Sequence, residues 1–418
     1  MSPQAPGSNW AGNVTFSASQ VHQPASIESL RRLVADSRRL RALGRAHSFS
    51  QIVDGPQDLV LLDRLPRKLR VDSALSTVTV AAALTYTEVA EELHRAGFAL
   101  ANTASIPDIS IAGACATGTH GSGDDQRVLA ASVAAVQLVV SDGSLVDLQR
   151  DIDRDHFPGS VVALGALGIV TQLTLEIEPK YQMSQQVHLE IPLQLLEDRF
   201  DDVFGAGYSV SLFTNWHSGE GNLWVKRRTD QLALSWTGGT PAQRRVHPVP
   251  GMSPALCTEQ LGTVGPWHER LPHFRPKMGL ESGNELQSEV FVPRTAAKQA
   301  IRALREIGDL IAPALLVSEI RTVHADDLWL SPASGRESAA FHFTWTADES
   351  VVLPAIASIE QRLMTLDVRP HWAKLTTMDP GQIVSSYERA RDFERLMTEY
   401  DPTFKFRNDF VDALFPPK

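Results

Sequence analysis

The stretch SIPDISIAGACATGTHGSG, residues 105–123, is rich in glycine and other small residues and carries one histidine, His120. Small side chains let backbone N–H groups approach a ligand closely, and successive N–H groups form a concave anion-binding surface. A second stretch of this kind, LGRAHSFSQ at residues 43–51, leaves a short predicted strand at residues 40–43 and places His47 soon after Gly44. Two such loops facing each other could hold a pyrophosphate. Ordinary surface loops are the alternative interpretation of either stretch taken alone.

The common nucleotide-binding motifs are missing from the sequence. No GxGxxG follows a predicted strand, no GxxxxGK[ST] occurs, and GALG at residues 165–168 is only half of the first motif. The sequence therefore gives no support to a Rossmann fold or a P-loop. The thirteen histidines and two cysteines form no HxxxH or CxxC motif, so we expect no metal site.

Composition limits the class of protein and of partner. The 418 residues suffice for two domains, and 43% hydrophobic with 21% charged residues is an ordinary globular mixture. A net charge of −10 argues against nucleic acid as a partner, because phosphate binding needs a basic face. The sequence shows no signal peptide, no membrane span and few cysteines. We expect a cytoplasmic monomer with a small-molecule ligand and no membrane partner.

The predicted elements change character at Pro179. Before it, helices capped by Ser26 and by the Thr85–Glu88 capping box alternate with strands, and Asp142–Gly143 forms a hairpin turn. After it, long strands with alternating polarity are predicted at residues 208–216, 222–228, 285–293, 315–323 and 339–346, with helices at 295–310 and 353–366 and irregular structure at 229–284. This order predicts an α+β chain whose second part contains one large, mainly antiparallel sheet.

Two pairs of polar residues lie on neighbouring predicted strands. Glu319 and Arg321 are two residues apart, as are His342 and Thr344, so each pair points to one face of the sheet. A solvated outer face is the alternative interpretation. The strands are otherwise apolar, which favours a polar patch at a binding site.

Several motifs, taken together, resemble the vanillyl-alcohol-oxidase-type FAD flavoproteins. The two small-residue loops are similar to the pair that binds the FAD pyrophosphate in that family. Other motifs resemble its aldonolactone oxidase and bacterial alditol (xylitol) oxidase branch: NWAGN (9–13), SVSLFTNW (209–216), HPVPGM (247–252), GPWHERLPHF (265–274), EIRTV (319–323), HFTW (342–345), RPHWAK (369–374) and KFRNDFV (405–411). The resemblance implies an FAD-binding domain at residues 1–180, completed by residues 385–418, and a substrate domain at residues 181–384.

The resemblance also implies roles for residues near the cofactor. His47 is expected to carry FAD covalently, and the N–H groups of residues 44–48 and 117–120 are expected to line its phosphates. The expected cofactor-binding residues are Leu43, Gly44, Arg45, Ala46, His47, Ser48, Ser105, Ser110, Gly113, Thr117, Gly118, Thr119, His120, Val170 and His371. Ala104 corresponds to a small residue over the oxygen-reactive edge of the flavin. Arg45–Ala46 and Ala373 depart from the family pattern without removing a group that the chemistry needs.

The chemistry implied is oxidation of the terminal CH–OH of a polyol such as xylitol or sorbitol. A hydride passes to flavin N5, and oxygen is reduced to hydrogen peroxide. Cations beside the oxygen atom stabilise a developing alkoxide, so Arg321 and Lys374 are the catalytic candidates. The expected substrate-binding residues are Ser105, Glu319, Arg321, Thr344 and Lys374. Two alternatives stay open: an L-gulono- or L-galactono-1,4-lactone oxidase or dehydrogenase, and a non-catalytic flavin- or sugar-binding protein.

Overall fold

The computed structural model describes residues 7–231, 238–275 and 283–417. Its strands, in chain order, are β1 (Val21–His22), β2 (Leu40–Ala42), β3 (Asp58–Val60), β4 (Leu69–Asp72), β5 (Thr77–Ala81), β6 (Phe98–Ala99), β7 (Val133–Val139), β8 (Leu145–Gln149), β9 (Ile169–Glu176), β10 (Glu178–Pro179), β11 (Gln182–Pro192), β12 (Ser209–Thr214), β13 (Glu220–Arg228), β14 (Thr240–Pro241), β15 (Gly265–Pro266), β16 (Glu285–Pro293), β17 (Leu315–Val323), β18 (Ser338–Thr346) and β19 (Arg369–Pro370).

Eleven α-helices lie within the described residues. They are α1 (Ile27–Asp36), α2 (Tyr86–Ala96), α3 (Ile111–Ala116), α4 (Phe157–Ser160), α5 (Leu193–Phe204), α6 (Ala297–Glu306), α7 (Gly308–Ile311), α8 (Glu349–Leu363), α9 (Pro380–Ser385), α10 (Ala390–Tyr400) and α11 (Asp409–Leu414). The predicted capping box of α2 is confirmed, since the Thr85 side chain accepts from Glu88 N and the Glu88 carboxylate accepts from Thr85 N. Gly97 ends this helix at φ +93°, a conformation that glycine adopts without strain.

The first part of the chain contains a five-stranded sheet in the order β4-β5-β9-β7-β8 and a three-stranded sheet in the order β1-β3-β2. The predicted hairpin joins β7 to β8 through Gly143, whose φ is +84°. Val80, Val136 and Leu173 from the five-stranded sheet pack with Val89 of α2 in one buried cluster. This core supports the second small-residue loop, because α3 lies within residues 105–123 and contributes Ile111, Ala114 and Cys115 to the cluster. The first loop, residues 43–51, follows β2 of the three-stranded sheet.

The second part contains a nine-stranded sheet in the order β14-β11-β13-β12-β17-β18-β16-β19, with β15 beside β11. Every pairing in it is antiparallel, which confirms the large antiparallel sheet. Residues such as Ile320, Phe341 and Val290 point to one face, where α5, α6 and α8 cover them. Their neighbours along the strands point to the other face, which faces the two loops. Alternation along the strands thus separates core from site.

The C-terminal segment returns to the first part of the chain. The side-chain amide of Asn408 donates to the carbonyls of Ile52 (3.2 Å) and Asp54 (2.8 Å). The buried guanidinium of Arg41 donates to the carbonyls of Phe406 (2.5 Å), Ile52 (2.7 Å) and Leu164 (2.6 Å). Residues 406–408 are therefore held against Arg41 and residues 52–54, which flank the first small-residue loop.

The α+β fold class is confirmed, and the structure adds detail that the sequence did not predict. The helix predicted at residues 295–310 is broken at Ile307 into α6 and α7, and β11 and α5 were not predicted. The described part of residues 229–284 holds two short strands, two single-turn 3-10 helices (Pro254–Leu256 and Trp267–Glu269) and irregular segments, in line with the predicted irregular structure, while residues 232–237 and 276–282 lie outside the described residues. Among the described helices, none combines the length and the apolar character that crossing a bilayer requires.

Candidate active site

A cavity of about 620 Å³ lies between the open face of the nine-stranded sheet and the two small-residue loops. The predicted site residues that line it are Leu43, Gly44, Arg45, Ala46, His47, Ser48, Ser105, Ser110, Gly113, Thr117, Thr119, His120, Val170, Glu319, Arg321, Thr344, His371 and Lys374. Of the site residues predicted from the sequence, only Gly118 does not line the cavity. The two loops and the polar strand pairs, far apart in the sequence, therefore share one cavity.

The first loop presents backbone amides and one histidine to this cavity. The N–H groups of residues 44–48 donate to no other residue in the described ranges, and Ala46 holds the turn at φ +56°. The ring of His47 stacks on Trp10, with centroids 4.6 Å apart and planes 15° apart. Its Nε2 atom is buried and has no hydrogen-bond partner among the described residues. Burial lowers the pKa of His47 to about 4, so the ring is neutral at pH 7.

These features fit a bound FAD. Unpaired amides in a row suit an anionic group such as a pyrophosphate. A Cβ atom at Gly44 would lie 2.6 Å from Ser110 Oγ, so a larger residue could not bring the first loop this close to the second. Within the second loop, a Cβ atom at Gly113 would lie 2.7 Å from the same oxygen. The neutral, unpartnered imidazole nitrogen of His47 is free to form a bond to a ligand.

Three amide groups of the second loop are engaged within the protein. The N–H groups of Thr117 and Gly118 donate to the Cys115 carbonyl, and that of Thr119 donates to the Ala114 carbonyl. These three amides are therefore engaged by the end of α3 in the described structure, and that they line phosphate stays a prediction. The physical reason is that the last carbonyls of α3 need donors, and the following turn supplies them. Gly118, at φ +69°, instead passes close to Pro332, where a Cβ would lie 2.7 Å from the proline ring.

The predicted polar patch forms on the cavity face of β17 and β18. Glu319 of β17 is paired with His342 of β18, which is in turn paired with Glu289 of β16. Glu319 Oε1 lies 2.9 Å from His273 Nε2, and its Oε2 lies 3.6 Å from Arg321 Nε. The side chains of Glu289, Glu319 and Arg321 are at most 6% exposed. The alternative of a solvated outer face is therefore wrong.

Glu289 is the residue at the centre of this patch that sequence reasoning missed. Its Oε1 lies 3.1 Å from His120 Nε2 and also accepts a hydrogen bond from Arg321. Its Oε2 forms an ion pair with Lys374 Nζ at 3.0 Å. A signal was present, because Glu285, Gln287 and Glu289 alternate along an otherwise apolar strand, the same pattern as in Glu319 and Arg321.

Burial and neighbouring charges set the ionisation of the patch. Burial is the largest single effect and raises the pKa of both Glu289 and Glu319. Arg321 together with Lys374 and His120 at Glu289, and Arg321 together with His273 at Glu319, outweighs it, so both pKa values lie well below the usual range. Burial lowers the pKa of Lys374 against the opposing effect of Glu289. Burial also lowers the pKa of His342 to about 4. The patch therefore presents two carboxylates and two cations around neutral imidazoles.

His273 and Trp10 are two further residues that sequence reasoning quoted within motifs without giving them a role. The backbone N–H groups of His273 and Phe274 both point to the carbonyl of Ser105, at 3.2 Å, so the segment carrying His273 is held to the second loop. Burial lowers the pKa of His273 to about 4.

Within the described ranges, no group of three or more metal-binding side chains forms a cluster suited to a metal ion.

Comparison with known families agrees with this architecture. Residues 18–149 match the family described as "FAD binding domain", and residues 285–414 match the family described as "D-arabinono-1,4-lactone oxidase". The first match covers the first loop and most of the five-stranded sheet, and the second covers Glu289, Glu319, Arg321 and Lys374.

Similar proteins and structures extend the comparison to the whole chain. An alditol oxidase of Streptomyces sp. is 47% identical over 97% of this chain and 98% of its own length. The L-gulonolactone oxidase of Bos taurus is 23% identical over 97% of both chains. The crystal structure of cholesterol oxidase from B. sterolicum superposes with a TM-score of 0.78 at 15% identity, covering all of both chains, which shows a shared fold. The chain therefore belongs to the alditol oxidase family, in the aldonolactone oxidase branch of the flavoproteins with this FAD-binding fold.

Proposed function

We propose that this protein is an FAD-dependent oxidase of alditols such as xylitol and sorbitol. The reaction converts a terminal CH–OH group to the aldehyde of the aldose, and the two electrons and two protons removed reduce oxygen to hydrogen peroxide. The observation that carries the proposal is the buried set of Glu319, Arg321 and Lys374, which lines the same cavity as the two small-residue loops. The 47% identity to an alditol oxidase supports the same substrate class.

The cofactor would be held by both loops and bonded to His47. Gly44 to Ser48 offer their free amides to the pyrophosphate, while Ser110 and Gly113 approach from the second loop. A covalent link would replace the imidazole N–H and one C–H of the flavin 8α-methyl group by a C–N bond, and oxygen would take up the electron pair and two protons released. The neutral, unpartnered nitrogen of His47 supports this linkage.

The cations act on the substrate oxygen. Bound FAD supplies the acceptor, at N5, for the hydride that leaves carbon. An alcohol is a very weak acid, so positive charge fixed beside its oxygen lowers the cost of losing the hydroxyl proton. Arg321 and Lys374 are two such charges, with side chains only 6% and 15% exposed, and electrostatic interactions are stronger at buried sites than in water.

The remaining polar groups orient the polyol chain. The Glu319 carboxylate accepts hydrogen bonds from hydroxyl groups, and its position beside Arg321 directs the substrate towards the cations. Thr344 on β18 and Ser105 in the second loop add hydroxyl contacts from the sheet and from the loop. An extended polyol can therefore be bound along the cavity by several hydroxyls at once.

The match of residues 285–414 to a lactone oxidase family favours one alternative, a 1,4-lactone oxidase or dehydrogenase. A panel of alditols and aldonolactones with peroxide detection separates the two.

A non-catalytic flavin- or sugar-binding protein is the other alternative. If xylitol added without oxygen fails to bleach the flavin, the oxidase assignment fails.

The test starts from the purified protein and its visible spectrum. We expect a yellow protein whose flavin absorption is lost when xylitol or sorbitol is added anaerobically and returns when air is admitted, with one peroxide formed per aldose. A colourless protein that does not take up FAD would contradict the proposal. Bleaching by an aldonolactone alone would assign the lactone reaction instead.

We also propose that the FAD-binding domain comprises residues 1–180 with residues 385–418, and that the substrate domain comprises residues 181–384. The contacts of Asn408 and Arg41 support joining the C-terminal residues to the first domain. The nine-stranded sheet lies within the second range. The monomeric state and cytoplasmic location stay predictions.

A further inference from the structure

Glu289 occupies a position that neither the FAD-binding loops nor substrate binding explains. It lies on β16, next to His342 of β18 in the register of the sheet, and its side chain is 1% exposed. Both its oxygens are engaged by groups from other parts of the chain. His120 and Arg321 contact Oε1, and Lys374 contacts Oε2.

The charges around Glu289 show what it balances. Arg321 and Lys374 are both buried cations, with side chains 6% and 15% exposed. Glu319 approaches Arg321 at 3.6 Å, but its closer partner is His273 at 2.9 Å. Glu289 is the carboxylate that contacts both cations. Without its charge, two like charges would face each other at low exposure to water, which disfavours their charged forms.

The contacts of Glu289 come from three different parts of the chain. Arg321 comes from β17, Lys374 from the segment after β19, and His120 from the second small-residue loop. One carboxylate therefore connects the sheet, the loop that carries Lys374 and the FAD-binding loop. A group with this placement fixes the relative position of both cations and the loop.

We infer that Glu289 is a positioning residue for the oxidation: its carboxylate keeps Lys374 charged, holds Lys374 and Arg321 aimed at one substrate hydroxyl, and ties them through His120 to the FAD-binding loop. This inference rests on the proposed function, because it concerns the two cations assigned to the substrate oxygen. Glu289 itself needs no contact with substrate. Its role is exerted through the groups that touch it.

Glu289→Gln tests the inference with a side chain of the same shape and no charge. In anaerobic stopped-flow measurements with xylitol, the limiting rate of flavin reduction should fall by about 10²-fold, the size of effect seen when a transition-state electrostatic contact is lost. The apparent dissociation constant of xylitol should change much less. A purely structural role would instead change protein yield and thermal midpoint without this division between rate and binding.

The pH profile of reduction supplies a second readout. Removing the negative charge destabilises the protonated form of Lys374, so the loss of activity at high pH should begin at a lower pH in Glu289→Gln than in the wild type. The charged and titratable groups that face Glu289 from the packed elements are Arg321, Lys374, His120, His342 and His371, with Glu319 beyond Arg321. A profile that does not move would overturn the inference.

Two variants keep the test decisive. Glu197→Gln on α5 removes a buried carboxylate that also pairs with two arginines, Arg302 and Arg305, but does not line the cavity, so it should leave the rate and the profile unchanged. Glu289→Asp keeps the charge but moves it away from both cations, so its reduction should slow and its high-pH limb should move less than that of Glu289→Gln. If Glu289→Gln does not fold, reduction of Glu289→Asp at the wild-type rate would contradict the inference. Failure of any alditol to reduce the wild type contradicts the proposed function instead, so the two failures are distinguishable.

Discussion

Lys374 Nζ lies 2.7 Å from His342 Nδ1, and the other ring nitrogen of His342 contacts Thr344. An ammonium group only donates hydrogen bonds, so His342 accepts through Nδ1 and carries its hydrogen on Nε2. That hydrogen points to Thr344 Oγ1 at 3.2 Å, which leaves the Thr344 hydroxyl hydrogen for another acceptor. The cation thus fixes a histidine tautomer and, through it, the direction in which Thr344 donates.

The first prediction concerns this cation. Lys374→Met should slow anaerobic flavin reduction at saturating xylitol by about 10²–10³-fold, because it removes a preorganised charge at the developing alkoxide. Arg321→Ala should behave in the same way. Single-turnover stopped-flow kinetics measure the effect, with the exposed Lys298→Met as the matched control. If only KM rises while the reduction rate is unchanged, both cations serve binding alone.

The second prediction concerns His47. Acid-precipitated wild-type protein should stay yellow, because the flavin is bonded to the ring nitrogen. His47→Ala should release its flavin into the acid supernatant or fail to load it, whereas the exposed His217→Ala should retain it. Flavin absorbance in pellet and supernatant measures the difference. Complete release from the wild-type protein would contradict the covalent linkage.

The parts of the fold that the sequence predicted well are those with strong local patterns. Strands β16, β17 and β18 are apolar with a clear period, and the capping box at Thr85 is a local signal. In contrast, the strand β11 contains buried Gln185 among its apolar residues, which hides its alternation. The helix α5 begins after Pro192 without a side-chain cap. Local patterns were too weak in both cases.

The site shows the same limit at longer range. The two small-residue loops and the pairs Glu319–Arg321 and His342–Thr344 were predictable because each motif is continuous or has a short period. Glu289 carries the same short-period signal with Glu285 and Gln287, but its role could not be predicted, since its partner His120 lies 169 residues away and Lys374 comes from another segment. Likewise, the amides of Thr117 to Thr119 could be assigned only when α3 and its unpaired carbonyls were known.

The third prediction concerns Arg41, which holds the C-terminal segment. Arg41→Met leaves the carbonyls of Phe406, Ile52 and Leu164 buried without their donor, and buried unsatisfied groups are costly. We expect the midpoint of thermal unfolding to fall by about 5 °C or more. The exposed neighbour Arg39→Met should change it little. Equal midpoints in the two variants would show that the guanidinium does not hold the segment.

The fourth prediction concerns stability at acid pH. Burial lowers the pKa values of His273 and His342 to about 4, below the usual value near 6.5. Between these two pH values both histidines bind a proton in the unfolded chain but not in the folded chain. Their contribution to the free energy of unfolding is therefore complete above about pH 6.5 and decreases as the pH drops towards 4.

The variant His273→Gln removes one of these two titrating groups. Its stability should therefore fall less steeply over this range, by up to about 1.4 kcal/mol per pH unit at the steepest point. Urea unfolding at several pH values measures the slope, and His217→Gln, at an exposed position, is the control. Identical slopes in all three proteins would show that His273 is not buried in its neutral form.

The last prediction concerns access of oxygen. Ala104 is 5% exposed, lines the cavity and directly precedes Ser105. The resemblance to these flavoproteins implies that a small residue at this place lies over the oxygen-reactive edge of the cofactor, where the alanine methyl group would be a modest obstacle. Ala104→Val or Ala104→Leu should therefore slow reoxidation of the reduced enzyme by oxygen more than it slows reduction by xylitol. An artificial electron acceptor should restore turnover.

The competing explanation treats Ala104 as a packing residue. The carbonyl of Ser105 accepts from the N–H groups of His273 and Phe274, so a larger side chain at position 104 could displace Ser105 together with His273, which contacts Glu319. Both half-reactions would then slow together. Stopped-flow measurement of each half-reaction decides, with Ala101→Leu, at an exposed position in the same segment, as the control. Equal losses, or a loss confined to reduction, would discard the oxygen-access role, because a barrier on the oxygen path leaves hydride transfer largely intact.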